Sequence, residues 1–275
     1  MSFNNFFIKF FSDLLRSAGW IVLFYMDQLI SLEPIIITLF LFPIVYSHYF
    51  NVPVYNPCSK KSRIYVPSKS YPTLTDAYQH AQTYQTYFGN QIIKEIIVKG
   101  THVIPHHFNI NLPLPLIIAG IPNQTTLTFL NGLSIDSTVR IANITIVKGK
   151  GIEIKNKSGT VSLFKSTLHE CKSSAITLRN GGKAEIHDCV ITSNHGSGLV
   201  AGDPQSIAKI YNTKIENNKA CGIYVFYGGQ CDVDGDQTTV TGNELYDLRA
   251  RKGTINIHLD ELTCQRNVEE DGIIM

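Results

Sequence analysis

Five times, in steps of 23, 24, 25 and 24 residues, the chain repeats one phrase. An apolar residue is followed at the third position by Asn or Cys, and four residues later by a small or turn-forming residue and another apolar one. Four copies read Leu168, Cys171, Ala175, Ile176; then Ile191, Asn194, Gly198, Leu199; then Ile215, Asn218, Gly222, Ile223; then Val240, Asn243, Asp247, Leu248. A looser fifth has Asn267, Asp271, Gly272 and Ile273. A fixed period of this size marks a solenoid, in which each repeat is one coil stacked on the last.

Each coil of such a stack needs short strands that send apolar side chains inward. Leu163, Leu168, Ile176 and Leu178 form one such set; Ile186, Ile191 and Leu199 the next; Ile210, Ile215, Ile223 and Val225 a third. Gly181-Gly182 and Gly228-Gly229 mark coil-to-coil turns. The recurring Asn has a structural role open to it. It tolerates left-handed backbone at a turn, and its amide can bond the backbone or the Asn one coil away. No catalytic role is expected for Asn194, Asn218 or Asn243.

The six cysteines include no C-x-x-C pair, which argues against a structural zinc site. Scattered through the coils, they read as small buried hydrophobes rather than a disulfide framework. A formal charge of +2 with no basic face excludes nucleic acid as the expected partner.

The first fifty residues are far more apolar than the rest. Phe3, Phe6, Phe7, Phe10, Phe11, Leu14 and Leu15 keep helical spacing opposite Asn4, Lys9, Asp13 and Arg16. This is an amphipathic helix, suited to a membrane interface or to the surface of its own domain. Leu29 to Tyr49 follows, long enough for one crossing of roughly 30 Å. Pro34 and Pro43 would kink such a helix, and Trp20, Tyr46 and Tyr49 suit the interfacial belt. There is no clean secretory cleavage site. The expectation is a membrane localisation through residues 1–50, single-pass or interfacial. Lys60, Lys61 and Arg63 after the apolar run, against Lys9 and Arg16 before it, lean slightly towards a cytoplasmic C-terminal side.

Residues 51–63 read as a linker. A short strand at Ile64-Tyr65-Val66 and a helix begun at Thr73 or Thr75, with Leu74, Ala77, Tyr78, Ala81, Tyr84 and Phe88 on one stripe, make residues 64–90 a cap for the open first end of the stack. Residues 91–275 form the stack itself. Its last copy ends at Asp271-Gly272-Ile273-Ile274-Met275 with no helix following. An uncapped last coil is expected either in a shortened relative of longer solenoids or in a chain that stacks end to end.

Val66-Pro67, Tyr71-Pro72-Thr73-Leu74, Ala77, the segment Ile96 to Thr101 and Leu116-Ile117-Ile118-Ala119-Gly120 resemble the first coils of pectin-lyase-like right-handed parallel β-helices. With the Asn coils, the resemblance covers roughly residues 64–275. It implies an all-β fold, a right-handed parallel β-helix with an N-terminal capping helix, preceded by the apolar N-terminal helices. The group includes carbohydrate-processing enzymes and also non-catalytic scaffolds, such as the β-helix domains of certain F-box and Shc-SH2-binding proteins.

Enzymes on this fold place acids and a basic residue on one outward strand face. Lys165, Asp188 and Asn212 fall at matching positions in adjacent coils, as do Phe164, His187 and Tyr211. His187, Asp188 and Tyr211 are therefore the candidate catalytic residues, with His187 as general base. A solvated polar face is the plainer alternative, and glycosidase chemistry there lacks its second acid. Asp232, Asp234 and Asp236 suggest a calcium loop, but Asn243 stands where an EF-hand needs Glu, so a polar turn is expected instead. His106-His107, with His102 nearby, would point to opposite faces of a strand. Asn123, Asn143 and Asn156 head glycosylation triplets. No phosphate loop or nucleophile elbow occurs, and neither cofactor nor metal is expected. Two functions stand: a membrane-tethered β-helix presenting its outer sheet to a polysaccharide or protein, or a pectin-lyase-like carbohydrate-active enzyme.

Overall fold

The computed structural model describes residues 63–88, 93–259, 264 and 267–275. The helices expected in residues 1–50 lie outside them, as does the linker except Arg63. Among the described residues no helix is long and apolar enough to cross a membrane.

The repeat winds into a right-handed parallel solenoid of about 7 turns. From Thr138 to Arg251 each coil gives one strand to each of three faces. The first face carries β6 (Thr138–Ala142), β9 (Thr160–Phe164), β12 (Lys183–His187), β15 (Ile207–Tyr211), β18 (Gln230–Asp234) and β21 (Thr254–Ile257), closed by β23 (Ile273–Ile274). The second carries β7 (Thr145–Val147), β10 (Thr167–His169), β13 (Val190–Thr192), β16 (Lys214–Glu216) and β19 (Thr239–Thr241). The third runs β3 (Phe108–Ile110), β5 (Leu133–Ile135), β8 (Ile152–Ile154), β11 (Ile176–Leu178), β14 (Leu199–Gly202), β17 (Cys221–Phe226), β20 (Tyr246–Arg251) and β22 (Asn267–Glu270). The earliest coils use longer strands: β2 (Glu95–Ile104) and β4 (Leu116–Phe129) each bend across the first corner.

Strand alternation explains the core. In-register inward residues stack like on like: Ile141, Leu163, Ile186, Ile210 and Val233 on the first face. Ile146, Leu168, Ile191, Ile215 and Val240 do so on the second, and Ile152, Ile176, Leu199, Ile223 and Leu248 on the third. All are buried. Cys171, Cys189 and Cys231 are free thiols within the same core, as a small hydrophobe would be.

The repeated Asn forms a ladder just after the second face. Asn218 Oδ1 accepts from the backbone N–H of Asn194 at 3.1 Å and from its Nδ2 at 2.8 Å. Asn243 Oδ1 does the same for Asn218, at 3.1 and 2.9 Å. Asn194 Oδ1 in turn accepts from the backbone N–H of Cys171 at 3.0 Å. The second amide proton of Asn194 goes to Leu168 O. All three Asn are fully buried, so each bond satisfies a group that would be costly to orphan.

Two expectations about the marker position need correction. The left-handed residue at this corner is the one before the marker, in Glu170, Ser193, Asn217 and Gly242, so the Asn is there for its amide and not for its backbone. The fifth copy, moreover, is out of register. Asn267 pairs with Leu248 in the sheet and is exposed, its Nδ2 against Cys264 Sγ. The ladder instead ends on Asp247, which occupies the position of Ala175, Gly198 and Gly222 in earlier coils. Its Oδ1 takes the backbone N–H of Asn243 at 3.2 Å and its Nδ2 at 2.8 Å, in place of an Asn from a following coil.

Ahead of the coils, β1 (Arg63–Val66) pairs with β2 and leads into α1 (Leu74–Phe88). Thr73 is the N-cap: its Oγ1 accepts from Asp76 N while Asp76 Oδ2 accepts from Thr73 N. Leu74, Ala77, Tyr78 and Ala81 join the core of the first coils. Tyr78 Oη accepts from Asn111 N, and Gln85 Oε1 from Leu114 N. His80 lies between the rings of Tyr71 and Tyr84, at 5.0 and 4.5 Å. Burial depresses its pKa from 6.5 to about 4.

Asn218→Ala removes the one acceptor that two Asn194 donors share and should cost about 2–4 kcal/mol in urea unfolding. Asn267→Ala should cost less than about 0.5 kcal/mol. His80 predicts an acid dependence. Above about pH 6.5 its imidazole is neutral folded or unfolded, and stability is at its full value. As the pH falls towards 4 the unfolded chain takes up the proton first, and roughly 3 kcal/mol is lost. His80→Phe should flatten that part of a stability-against-pH curve.

Candidate functional site

The outer side of the first face carries two in-register rows. One runs Ala142, Phe164, His187, Tyr211 and Asp234. The Phe164 and His187 rings stack at 4.7 Å and 5°, His187 and Tyr211 lie 5.9 Å apart at 45°, and the Arg140 guanidinium sits 4.0 Å over Phe164. The second row alternates in charge: Arg140, Ser162, Glu185, Lys209, Asp232 and Asn256. Asp232 Oδ1 accepts from Asn256 Nδ2 at 2.7 Å.

The predicted residues therefore divide. His187 and Tyr211 are neighbours on one row, and Tyr211, 43% exposed, offers the open end of the stack. Asp188 is an exposed corner residue with φ +53°, in a column with Asn143, Lys165, Asn212 and Gly235, all of them left-handed. The match among Lys165, Asp188 and Asn212 thus reflects a backbone demand of the corner. The segment read as a polar turn at Asp232 to Asp236 is in part a strand: Asp232 and Asp234 both point outward from β18, beside Lys209 and Tyr211. Among the described residues no three His, Cys, Asp or Glu gather in a way that could hold a metal ion. The buried thiols are poor nucleophiles, since burial pushes Cys171 up to about 12 and Cys189 to about 11.

Residues 127–262 match the family model described as a right handed beta helix region. The parallel three-faced coil agrees with that match: this part of the chain is a right-handed parallel β-helix. No curated protein and no solved structure matches it.

The β-helix holds a second outward cluster that the sequence reading passed over. On the third face, Tyr224 and Phe226 of β17 stack at 5.1 Å, and Tyr227 meets Phe226 edge-on at 5.4 Å. Arg249 of β20 lies 5.0 Å over the Tyr224 ring and 5.6 Å from that of Tyr246. Phe226 is in register with Arg251 on one side and Gly202 on the other. A methyl group at Gly202 would strike the far end of the Phe226 ring, so the glycine leaves room for that ring. Tyr227 is 52% exposed. The available signal was the spacing Tyr224-Val225-Phe226: with Val225 in the core, both aromatics must face out.

Proposed function

We propose that the β-helix is a binding surface for a polysaccharide laid along its outer sheet, tethered to a membrane through residues 1–50. The observation that carries this reading is the third-face cluster of Tyr224, Phe226 and Tyr227 beside Arg249 and Arg251. Aromatic rings offer apolar faces that sugar rings can cover, and guanidinium groups offer donors for hydroxyl and carboxylate oxygens. A solenoid gives a linear ligand a straight track at about 4.8 Å per coil. The membrane part rests on the apolar, aromatic-rich sequence of residues 1–50 alone.

The enzymatic reading keeps one observation in its favour. His187, Tyr211 and Asp234 are consecutive on one row with Asp232 beside them, a base and two acids on one face. It would act on uronate polymers with His187 as general base.

Titration of the full chain with oligosaccharides of several charge classes should find one that binds, and Tyr224→Ala or Phe226→Ala should weaken it about tenfold or more. Binding unaffected by both variants contradicts the reading. Turnover of a uronate polymer, lost in His187→Ala and Asp234→Ala, would instead establish the enzyme. For the tether, the intact chain should sediment with membranes and a chain lacking residues 1–50 should not; equal solubility without detergent sinks that part.

A further inference from the structure

The third face carries a second feature, at its other end. Ser134 is the central residue of β5, between the inward Leu133 and Ile135, and its Oγ lies 2.9 Å from His107 Nε2. The other ring nitrogen, His107 Nδ1, lies 3.0 Å from Asn131 O. A carbonyl oxygen only accepts, so Nδ1 carries the proton. In the neutral ring Nε2 is then bare and faces the serine hydroxyl. Asn131 is itself fixed, its Nδ2 donating to Pro105 O at 2.7 Å. Nucleophile, base and the group that orients the base are thus in the order that activates a serine.

The coil does not require these residues. The Ser134 position is occupied by Asn109 in the coil before, and by Glu153, Thr177, Val200 and Tyr224 in those after. His107 is exposed and lies in the connection ahead of β3. Asn109, exposed and in register beside Ser134, carries a side-chain amide one strand away on the same outward row, within reach of an oxyanion formed at Ser134. Ser134 is 4% exposed with the imidazole against its Oγ, and Asn109 is the exposed neighbour on the same row.

We propose that Ser134, His107 and Asn109 form an esterase site that removes acyl groups from a ligand lying on the third face. Ser134 Oγ attacks the ester carbonyl carbon and gives its proton to His107 Nε2. The carbonyl oxygen becomes the oxyanion, held by the Asn109 amide. The carbon–oxygen bond to the alcohol breaks, and the alcohol leaves with the proton from Nε2. Water then attacks the acyl-serine, passing a proton to Nε2, and Ser134 recovers that proton as the acid departs. The net change is ester plus water to acid plus alcohol. Ser134 and Tyr224 share one straight row, four strands or about 19 Å apart. A polysaccharide held at the aromatic cluster would therefore carry its acyl substituents past the serine.

The full chain should be treated with a fluorophosphonate probe and, separately, with p-nitrophenyl acetate. Labelling is expected on Ser134 by peptide mass spectrometry, abolished in Ser134→Ala and slowed about a hundredfold in His107→Gln. Asn109→Ala, an exposed change that leaves the coil intact, should slow ester hydrolysis while the probe still finds Ser134. Absence of label on Ser134, or equal labelling rates in His107→Gln and the parent, overturns the site. Neither small probe is long enough to reach the aromatic cluster, about 19 Å along the row, so both readouts are independent of polysaccharide binding. Failure of polysaccharide binding and failure of the esterase are thus separate results.

Discussion

Everything in this chain hangs on coils that stay in register, and the buried amide ladder is what sets that register. A parallel stack has a weakness. Each strand meets its neighbours through uniform hydrogen bonds, and like-on-like apolar stacking discriminates poorly between one alignment and the next. The Asn side chains remove the ambiguity. The carbonyl oxygens of Asn218 and Asn243 each take two donors from the preceding coil, and a slip by one residue would bury several unsatisfied groups at about 1–3 kcal/mol each. Asp247 shows how the device stops. A carboxylate from the same coil supplies the acceptor that no later Asn provides.

Because inward residues and corners settle the architecture, the outward positions are left to vary. Along the row that holds Ser134, successive coils bear an amide, a hydroxyl, a carboxylate, another hydroxyl, an apolar group and an aromatic ring. Such variation is where a solenoid carries function. It separates the candidate sites from the ladder, whose chemistry is the same in every coil and whose groups are spent on one another. The first face tells a related story. Phe164 and His187 cover each other's rings and Arg140 covers Phe164, so much of that row is already occupied, whereas the third face leaves Tyr227 open.

The fold was legible because its cause is local and periodic. Asn194, Asn218 and Asn243 announce the coil, and Ile186, Ile210 and Ile223 sit inside it as their spacing requires. Corner residues were harder to read. Asp188 looked chemical beside His187, yet its column is chosen for a left-handed backbone that Asn, Lys, Asp and Gly all adopt there. Asn267 had the right spacing from Asn243 but the wrong register, which only strand pairing reveals. Asp232 and Asp234 were read as a loop because their acidic, Gly-flanked run resembles one; alternation with Cys231 and Val233 makes it a strand. The Ser134 and His107 pair was out of reach altogether, since 27 residues of chain separate two groups that one coil brings together.

The central claim is that the amide ladder is the last structure to yield. Native-state hydrogen exchange of the backbone N–H groups of Asn194 and Asn218 tests it directly. The account predicts that both exchange only through global unfolding, with a free energy equal to that from denaturant titration. Exchange through local openings several kcal/mol cheaper than global unfolding would contradict it.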